Sequence, residues 1–178
     1  MTARRRSPKR VARPAAAELT FHPLTPDRWD DLAVLFGPRG AQAGCWCMWW
    51  RESQAEFQAR RGDANRRALQ ALVRTGEPPG MLAYADGAPV GWCAIAPRAG
   101  YPRLARSRVL APLDARPVWS VTCFFVARPW RGRGVTRQLL DAAVAFARSR
   151  GAADVEGYPL DVGHGYPDAY AYTGLASV

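Results

Sequence analysis

The stretch that decides the fold is Val118–Gly151, which has the sequence VWSVTCFFVARPWRGRGVTRQLLDAAVAFARSRG. Its first nine residues are almost wholly apolar and rich in β-branched and aromatic types, which predicts a central strand buried on both faces. Pro129 has no N–H to donate and is expected to end the strand. The run Arg131-Gly132-Arg133-Gly134 then predicts a turn, because glycines adopt backbone conformations that other residues avoid.

The rest of the stretch predicts a long amphipathic helix. Val135, Leu139, Ala143 and Phe146 recur at spacings of four, four and three, which places them on one face of a helix. Gly151 stands where a helix commonly ends. A strand, a glycine turn and a helix in this order form a seat for a phosphate, since the turn admits the anion and the first helical N–H groups are free.

Known phosphate loops differ from this turn. No G-x-x-x-x-G-K-[ST] string occurs, and Arg137 stands where a dinucleotide fingerprint would have its third glycine. An ordinary surface turn, with arginines that are merely solvated, is the alternative to a phosphate site.

The segment Val126–Val135, VARPWRGRGV, resembles motif A of the GNAT superfamily of N-acetyltransferases. That motif is Q/R-x-x-G-x-G/A, entered from a central strand and followed by a long helix. Arg131 matches its first position and Gly134 its central glycine. Thr136 stands where Gly or Ala is usual, and its hydroxyl could donate to a phosphate.

The resemblance implies a fold, a cofactor and a set of cofactor-binding residues. The fold is a single α/β GNAT-like domain over residues 18–178, with a mixed central sheet flanked by helices. The helix and the last strand or strands that follow the fifth strand in the superfamily are expected to be missing, which would favour a homodimer. The cofactor is acetyl-CoA, as acyl donor, without a metal. The implied binding residues are Phe125, Val126, Arg131, Gly132, Arg133, Gly134, Val135 and Thr136.

The remaining segments fit that architecture. Thr25-Pro26-Asp27 predicts a helix start with Thr25 as N-cap, and Asp86-Gly87 predicts a hairpin turn. Other expected elements are strands at Leu19–Leu24, Met81–Tyr84, Val90–Ala96 and Ala153–Tyr158, a helical region at Ser53–Val73 broken near Gly62, and a long loop at Pro97–Pro117.

The catalytic groups are not identified by the sequence. Superfamily members often use a Glu or a water chain as base and a tyrosine after the last strand as acid. Glu156 shares one face of the last strand with Asp154. We favour the interpretation that this face is exposed to solvent over the alternative that one of the two acids is the catalytic base. Tyr158 and Tyr172 are candidate acids, as are Tyr166 and Tyr170, whereas His164 is expected to be a loop residue.

The segment Cys45–Trp50, CWCMWW, is unusual. A C-x-C pair could bind zinc or copper, but structural zinc sites take four ligands, and only two histidines are present. An aromatic wall, packed on the core or lining a cleft beside the cofactor, is favoured. Cys93 and Cys123 lie in apolar strands and are expected to be buried.

Composition indicates one soluble domain with a basic tail. Residues Met1–Ala17 carry six of the 25 positive charges and no acid, so the net charge of +10 falls to +4 without them. Such a segment is predicted to be disordered and solvated, and nucleic-acid binding, which only this tail could provide, is the less favoured alternative. No run approaches the ~20 apolar residues of a membrane helix, and no apolar signal region follows the first arginines, so a cytoplasmic protein is expected.

Together these features predict an N-acetyltransferase. Direct attack by a primary amine of a small molecule or peptide on acetyl-CoA is the expected reaction. The alternative is a non-catalytic module that binds an acyl-CoA, or that binds nucleic acid through its basic tail.

Overall fold

A five-stranded sheet with helices on both faces organises the chain, and the computed structural model describes residues 18–162 and 171–176. The elements are β1 Leu19–Pro23, α1 Trp29–Phe36, α2 Gln54–Arg60, α3 Asp63–Arg74, β2 Gly80–Ala85, β3 Ala88–Pro97, α4 Pro102–Ala105, β4 Val118–Val126, α5 Val135–Ser149 and β5 Asp154–Gly157. The basic tail, and a second stretch with His164, Tyr166, Asp168 and Tyr170, lie outside the described residues.

The sheet is mixed, as predicted. Strands follow the order β1-β2-β3-β4-β5, with antiparallel pairing up to β4 and parallel pairing of β4 with β5. Asp86 and Gly87 both have positive φ, at 50° and 78°, which is the backbone of a tight hairpin turn between β2 and β3.

Apolar side chains on the two faces of the sheet form two separate cores. On one face α1 and α3 pack against Leu82 and Trp92, and on the other α5 packs against Cys93 and Ile95. Leu139, at the centre of α5, is fully buried. Within the described part of the chain, none of the helices combines the length and the apolar character needed to cross a bilayer.

The helix starts differ in how they are capped. Thr25 is the N-cap and Pro26 follows at the helix start, as predicted, but the Thr25 hydroxyl makes no cap bond and accepts a hydrogen bond from Arg28 instead. A 3-10 turn there leads into α1. Ser53 and Glu56 form a capping box at the start of α2. Gly62, at φ 84°, separates α2 from α3, which confirms the predicted break.

Strand β4 is paired on both sides only over its first part. β5 pairs with Val118–Val121 alone. On the other side the register passes from Val121 to Cys123 against adjacent residues of β3, so Thr122 is an extra residue, a β-bulge. Ser120, Val121 and Thr122 are buried, whereas Cys123–Val126 are only half-buried. The prediction of burial along the whole strand is therefore wrong for Val118 and Trp119 and for its last four residues, and among the described strands none pairs with those four on the β5 side.

Candidate active site

The glycine turn has the backbone that its sequence predicts. Gly132 and Gly134 have φ of 68° and 75°, a region that costs other residues roughly 1–2 kcal/mol. A Cβ built on either glycine would meet no atom within 4 Å, so both face open space. Gly134 is the N-cap of α5, and the first N–H groups of this helix have no helical partners. The turn and the helix therefore offer backbone donors to an anion.

A pocket of about 620 Å³ lies where this turn meets the end of β4. Seven of the eight predicted cofactor-binding residues line it: Phe125, Val126, Arg131, Gly132, Gly134, Val135 and Thr136. Arg133 does not, and its guanidinium lies 5.2 Å from the ring centroid of Trp130. The predicted contact of Arg133 with the cofactor stays a prediction.

Several lining residues were not predicted from the sequence. These are Trp130, Phe124, Gln42, Ala171, Gly174 and Leu175, and they line the pocket together with Tyr172, one of the predicted candidate acids. Trp130 stands immediately before Arg131 and could have been found from the motif. Gln42 comes from a loop 89 positions away from Arg131, and nothing in its sequence context indicates this role.

Backbone amides of β4 face the pocket on the side that β5 leaves open. The N–H of Phe124 donates to the carbonyl of Tyr172 at 2.6 Å, and the N–H of Ala127 donates to Val90 of β3. Because amide directions alternate along a strand, the N–H of Val126 points to the same side as that of Phe124. A polarisable carbonyl placed there would find a backbone donor.

Glu156 belongs to a polar cluster between β4 and β5. Its Oε1 accepts hydrogen bonds from Arg98, from the Ser120 hydroxyl at 2.6 Å and from the Tyr158 hydroxyl. Burial raises the pKa of Glu156, but these three donors outweigh it and hold the pKa below its ordinary value. Three donors on one oxygen leave a carboxylate that is ionised at neutral pH and a poor proton acceptor.

The prediction that Glu156 lies on a solvent-exposed strand face is therefore wrong. The side chain is only 25% exposed, because the loop that carries Arg98 covers it. Asp154 is more open and pairs with Arg116 at 3.0 Å. Burial, with the hydrogen bond to Glu156, raises the pKa of Tyr158 to about 12, which disfavours proton release.

The three candidate catalytic residues do not lie together. Glu156 and Tyr158 line a neighbouring groove of about 560 Å³ along α5. Tyr172 lines the turn pocket and also a second pocket of about 380 Å³ on its other side. Tyr172 is thus the candidate placed where two pockets meet.

Thiols line this second pocket. Cys45, Cys47 and Cys123 are among its walls, whereas Cys93 is fully buried. Cys123 was expected to be buried and is only half-buried, because it follows the bulge. Trp92 Nε1 donates to Cys47 Sγ at 3.0 Å. Hydrogen bonding from the Cys123 thiol, with the Trp92 indole, lowers the pKa of Cys47, while burial raises that of Cys45 to about 11. No group of three or more potential ligands able to hold a metal occurs within residues 18–162 and 171–176.

Comparisons with known proteins agree with this geometry. A sequence profile described as the acetyltransferase (GNAT) family matches residues 46–157, which is more than half of the chain. The structure of an aminoglycoside N-acetyltransferase, AAC(6')-Iy in complex with CoA, is similar at a TM-score of 0.53 and 18% identity, covering 81% of this chain and 78% of that one. The same enzyme with the bisubstrate analogue CoA-S-monomethyl-acetylneamine gives a TM-score of 0.50 at 17% identity, covering 84% and 82%. Among curated protein sequences none matches significantly. The chain belongs to the acetyltransferase (GNAT) family.

Proposed function

We propose that this protein transfers the acetyl group of acetyl-CoA to a primary amine of a small molecule or peptide by direct attack. The observation that carries the proposal is the pocket between the glycine turn and the open end of β4, where seven of the eight residues implied by motif A come together. Bound acetyl-CoA would supply an acyl group activated as a thioester.

The pocket residues fit the pyrophosphate of coenzyme A. Two glycines with positive φ leave their outer side free of side-chain atoms, so the backbone can approach an anion closely. The first turn of α5 adds N–H groups and the positive end of a helix of 15 residues. Arg131 also lines the pocket and adds positive charge.

We assign the polarising role to the backbone N–H of Val126, which alternation directs to the open side of β4. Tyr172 is the candidate to protonate the departing thiolate, because it lines both pockets. Glu156 and Tyr158 are assigned a structural role in the Arg98 cluster, and water is left to take the proton of the amine.

The reaction would take place in the cytoplasm, where cysteines are kept reduced. All four cysteines are free thiols, which supports this compartment. Dimerisation remains a proposal and is tested by sedimentation of the purified protein.

The test is a calorimetric titration of the folded protein with acetyl-CoA, together with a free-thiol release assay on a panel of amines. We expect micromolar-range binding that Gly134→Glu abolishes, because this change puts a carboxylate into the anion seat, and we expect thiol release with at least one amine. Absence of binding at millimolar acetyl-CoA would refute the acetyltransferase function. Binding without thiol release for any amine would favour the non-catalytic acyl-CoA-binding alternative.

A further inference from the structure

The second pocket, next to the turn pocket, is placed to hold the acceptor. The two pockets share Gln42, Phe124, Phe125 and Tyr172. A molecule in the second pocket would therefore lie directly beside the end of β4, where the proposed function puts the thioester. Its volume of about 380 Å³ suits a small molecule with one ring system.

Aromatic side chains dominate the walls of this pocket. Six rings line it: Trp49, Trp50, Phe57, Phe124, Phe125 and Tyr172. Trp49 and Phe57 meet edge to face at 5.1 Å, an arrangement that fixes both rings. Rigid aromatic walls favour a flat apolar group over a hydrated sugar.

The charge around the pocket is positive. Arg61 is the one charged side chain among its described lining residues. The Arg103 guanidinium lies 3.8 Å above the ring of Trp49, and the charge of Arg51 acts on Cys47 in the wall. Glu52 does not line the pocket, is 5% exposed and pairs with Arg60 at 2.9 Å. A polycation such as an aminoglycoside would meet arginines here instead of carboxylates.

Four buried polar atoms near this wall have no hydrogen-bond partner among the described residues. Three are donors, Trp50 Nε1, Arg51 Nε and Arg103 Nη2, and one is an acceptor, Glu52 Oε2. Unpartnered buried polar atoms are costly, and donors outnumber acceptors here, so a ligand that supplies acceptor oxygens is favoured over one that brings further donors.

The loop that carries the wall is held in a strained conformation. Ala41, Ala43, Trp46 and Cys47 all have positive φ, between 44° and 66°, at a cost of roughly 1–2 kcal/mol each. The Trp46 indole packs so closely on Gly40 that an added Cβ would lie 2.2 Å from it. Such strain persists only where the surroundings impose it, and it clusters at ligand sites. The wall is thus pre-formed.

We propose that the acceptor is an amine that carries both an aromatic ring and a carboxylate, as an aromatic α-amino acid does. The inference rests on the proposed function and names its substrate class. The ring lies among the six aromatic side chains, the carboxylate meets the arginine side with Arg61, and the α-amine reaches the shared wall at Phe124 and Tyr172.

The test compares three amines in the thiol-release assay at fixed acetyl-CoA. L-tryptophan has the ring and the carboxylate, tryptamine has the ring alone, and neamine is a polycation without a ring of this type. We expect kcat/KM for L-tryptophan to exceed that for tryptamine by about tenfold or more, which is the factor that one charge-assisted hydrogen bond contributes. We expect kcat/KM for neamine to be lower still than that for tryptamine.

Variants then separate the two parts of the inference. Arg61→Gln should reduce the L-tryptophan to tryptamine ratio severalfold while the tryptamine rate persists, and Arg67→Gln, a change of the same type at an exposed position of α3, should leave the ratio unchanged. Equal rates for L-tryptophan and tryptamine would overturn the proposed binding of the substrate carboxylate, and a preference for neamine would overturn the proposed substrate class. No turnover of L-tryptophan while acetyl-CoA still binds by calorimetry would overturn this inference alone. A folded protein that binds no acetyl-CoA would overturn the proposed function as well.

Discussion

Alanine in place of Gly134 tests whether the turn before α5 seats the cofactor. Gly134 has a φ of 75° and lines the turn pocket, and an added Cβ meets no protein atom within 4 Å. The substitution should therefore act in two ways, by backbone strain and by a methyl group that projects into open space beside the pocket.

Both effects have an expected size. The strain of a non-glycine residue at this φ is roughly 1–2 kcal/mol, which for a domain of this length lowers Tm by about 2–8 °C. Displacing the pyrophosphate from one backbone donor loses a charge-assisted hydrogen bond, so the Kd for acetyl-CoA should rise about ten- to hundredfold.

Gly151→Ala is the matched control. Gly151 has a φ of 87° at the opposite end of the same helix, and a Cβ there also meets no atom within 4 Å. Its strain is comparable, but it does not line the turn pocket. Calorimetric titration with acetyl-CoA, with thermal unfolding on the same samples, should give similar losses of Tm and a changed Kd for Gly134→Ala only. Equal Kd values for the two variants would refute the assignment of the turn to the pyrophosphate.

Three further predictions concern other parts of the molecule. Glu156→Gln should lower the free energy of unfolding by about 1–3 kcal/mol at pH 7, because Arg98 loses the charge of its carboxylate partner. The folded pKa of Glu156 lies below its ordinary 4.5. The destabilisation caused by Glu156→Gln should therefore have its full size above pH 4.5 and become smaller as the pH falls through the folded pKa. Urea titrations at pH 3 and pH 7 would show this difference. Iodoacetamide at pH 8 should alkylate Cys47 before Cys45, although Cys47 is the more buried of the two thiols in the second pocket, because only the Cys47 pKa is lowered; peptide mass spectrometry that finds Cys45 modified first would contradict this. Leu139→Ala should lower the free energy of unfolding by about 2–5 kcal/mol in denaturant titration, since the side chain is fully buried, and a loss below 1 kcal/mol would contradict its central place in the core.

Local patterns in the sequence predict much of the fold. The apolar run at Val118–Val126, the glycines at 132 and 134 and the helical spacing after Val135 each depend on neighbours within a few positions, and the structure confirms all three elements. Seven of the eight predicted cofactor-binding residues line one pocket, since most of them are close together in the chain, and their binding of the cofactor stays a prediction.

Contacts between distant segments could not be predicted in the same way. Arg98 and Glu156 are 58 positions apart, and their ion pair depends on how the loop after β3 folds over β5. No local periodicity encodes that path, so a strand at the edge of the sheet was expected to have a solvated face. The positive φ values in the loop around Trp46 are likewise imposed by tertiary packing, since nothing in the local sequence favours them.

The bulge at Thr122 explains why both pockets meet at the end of β4. Strict alternation from Val121, which faces α5, would turn Cys123 and Phe125 towards α5 as well. The extra residue reverses the alternation, so Cys123 and Phe125 pack on the α1 side while Phe124 and Val126 pack on the α5 side. β5 ends before these residues, and on that edge the N–H of Phe124 bonds the carbonyl of Tyr172 instead of a strand. One strand end therefore directs the N–H of Val126 to the turn pocket and a thiol and a ring to the second pocket, which is the juxtaposition that transfer between two bound molecules requires.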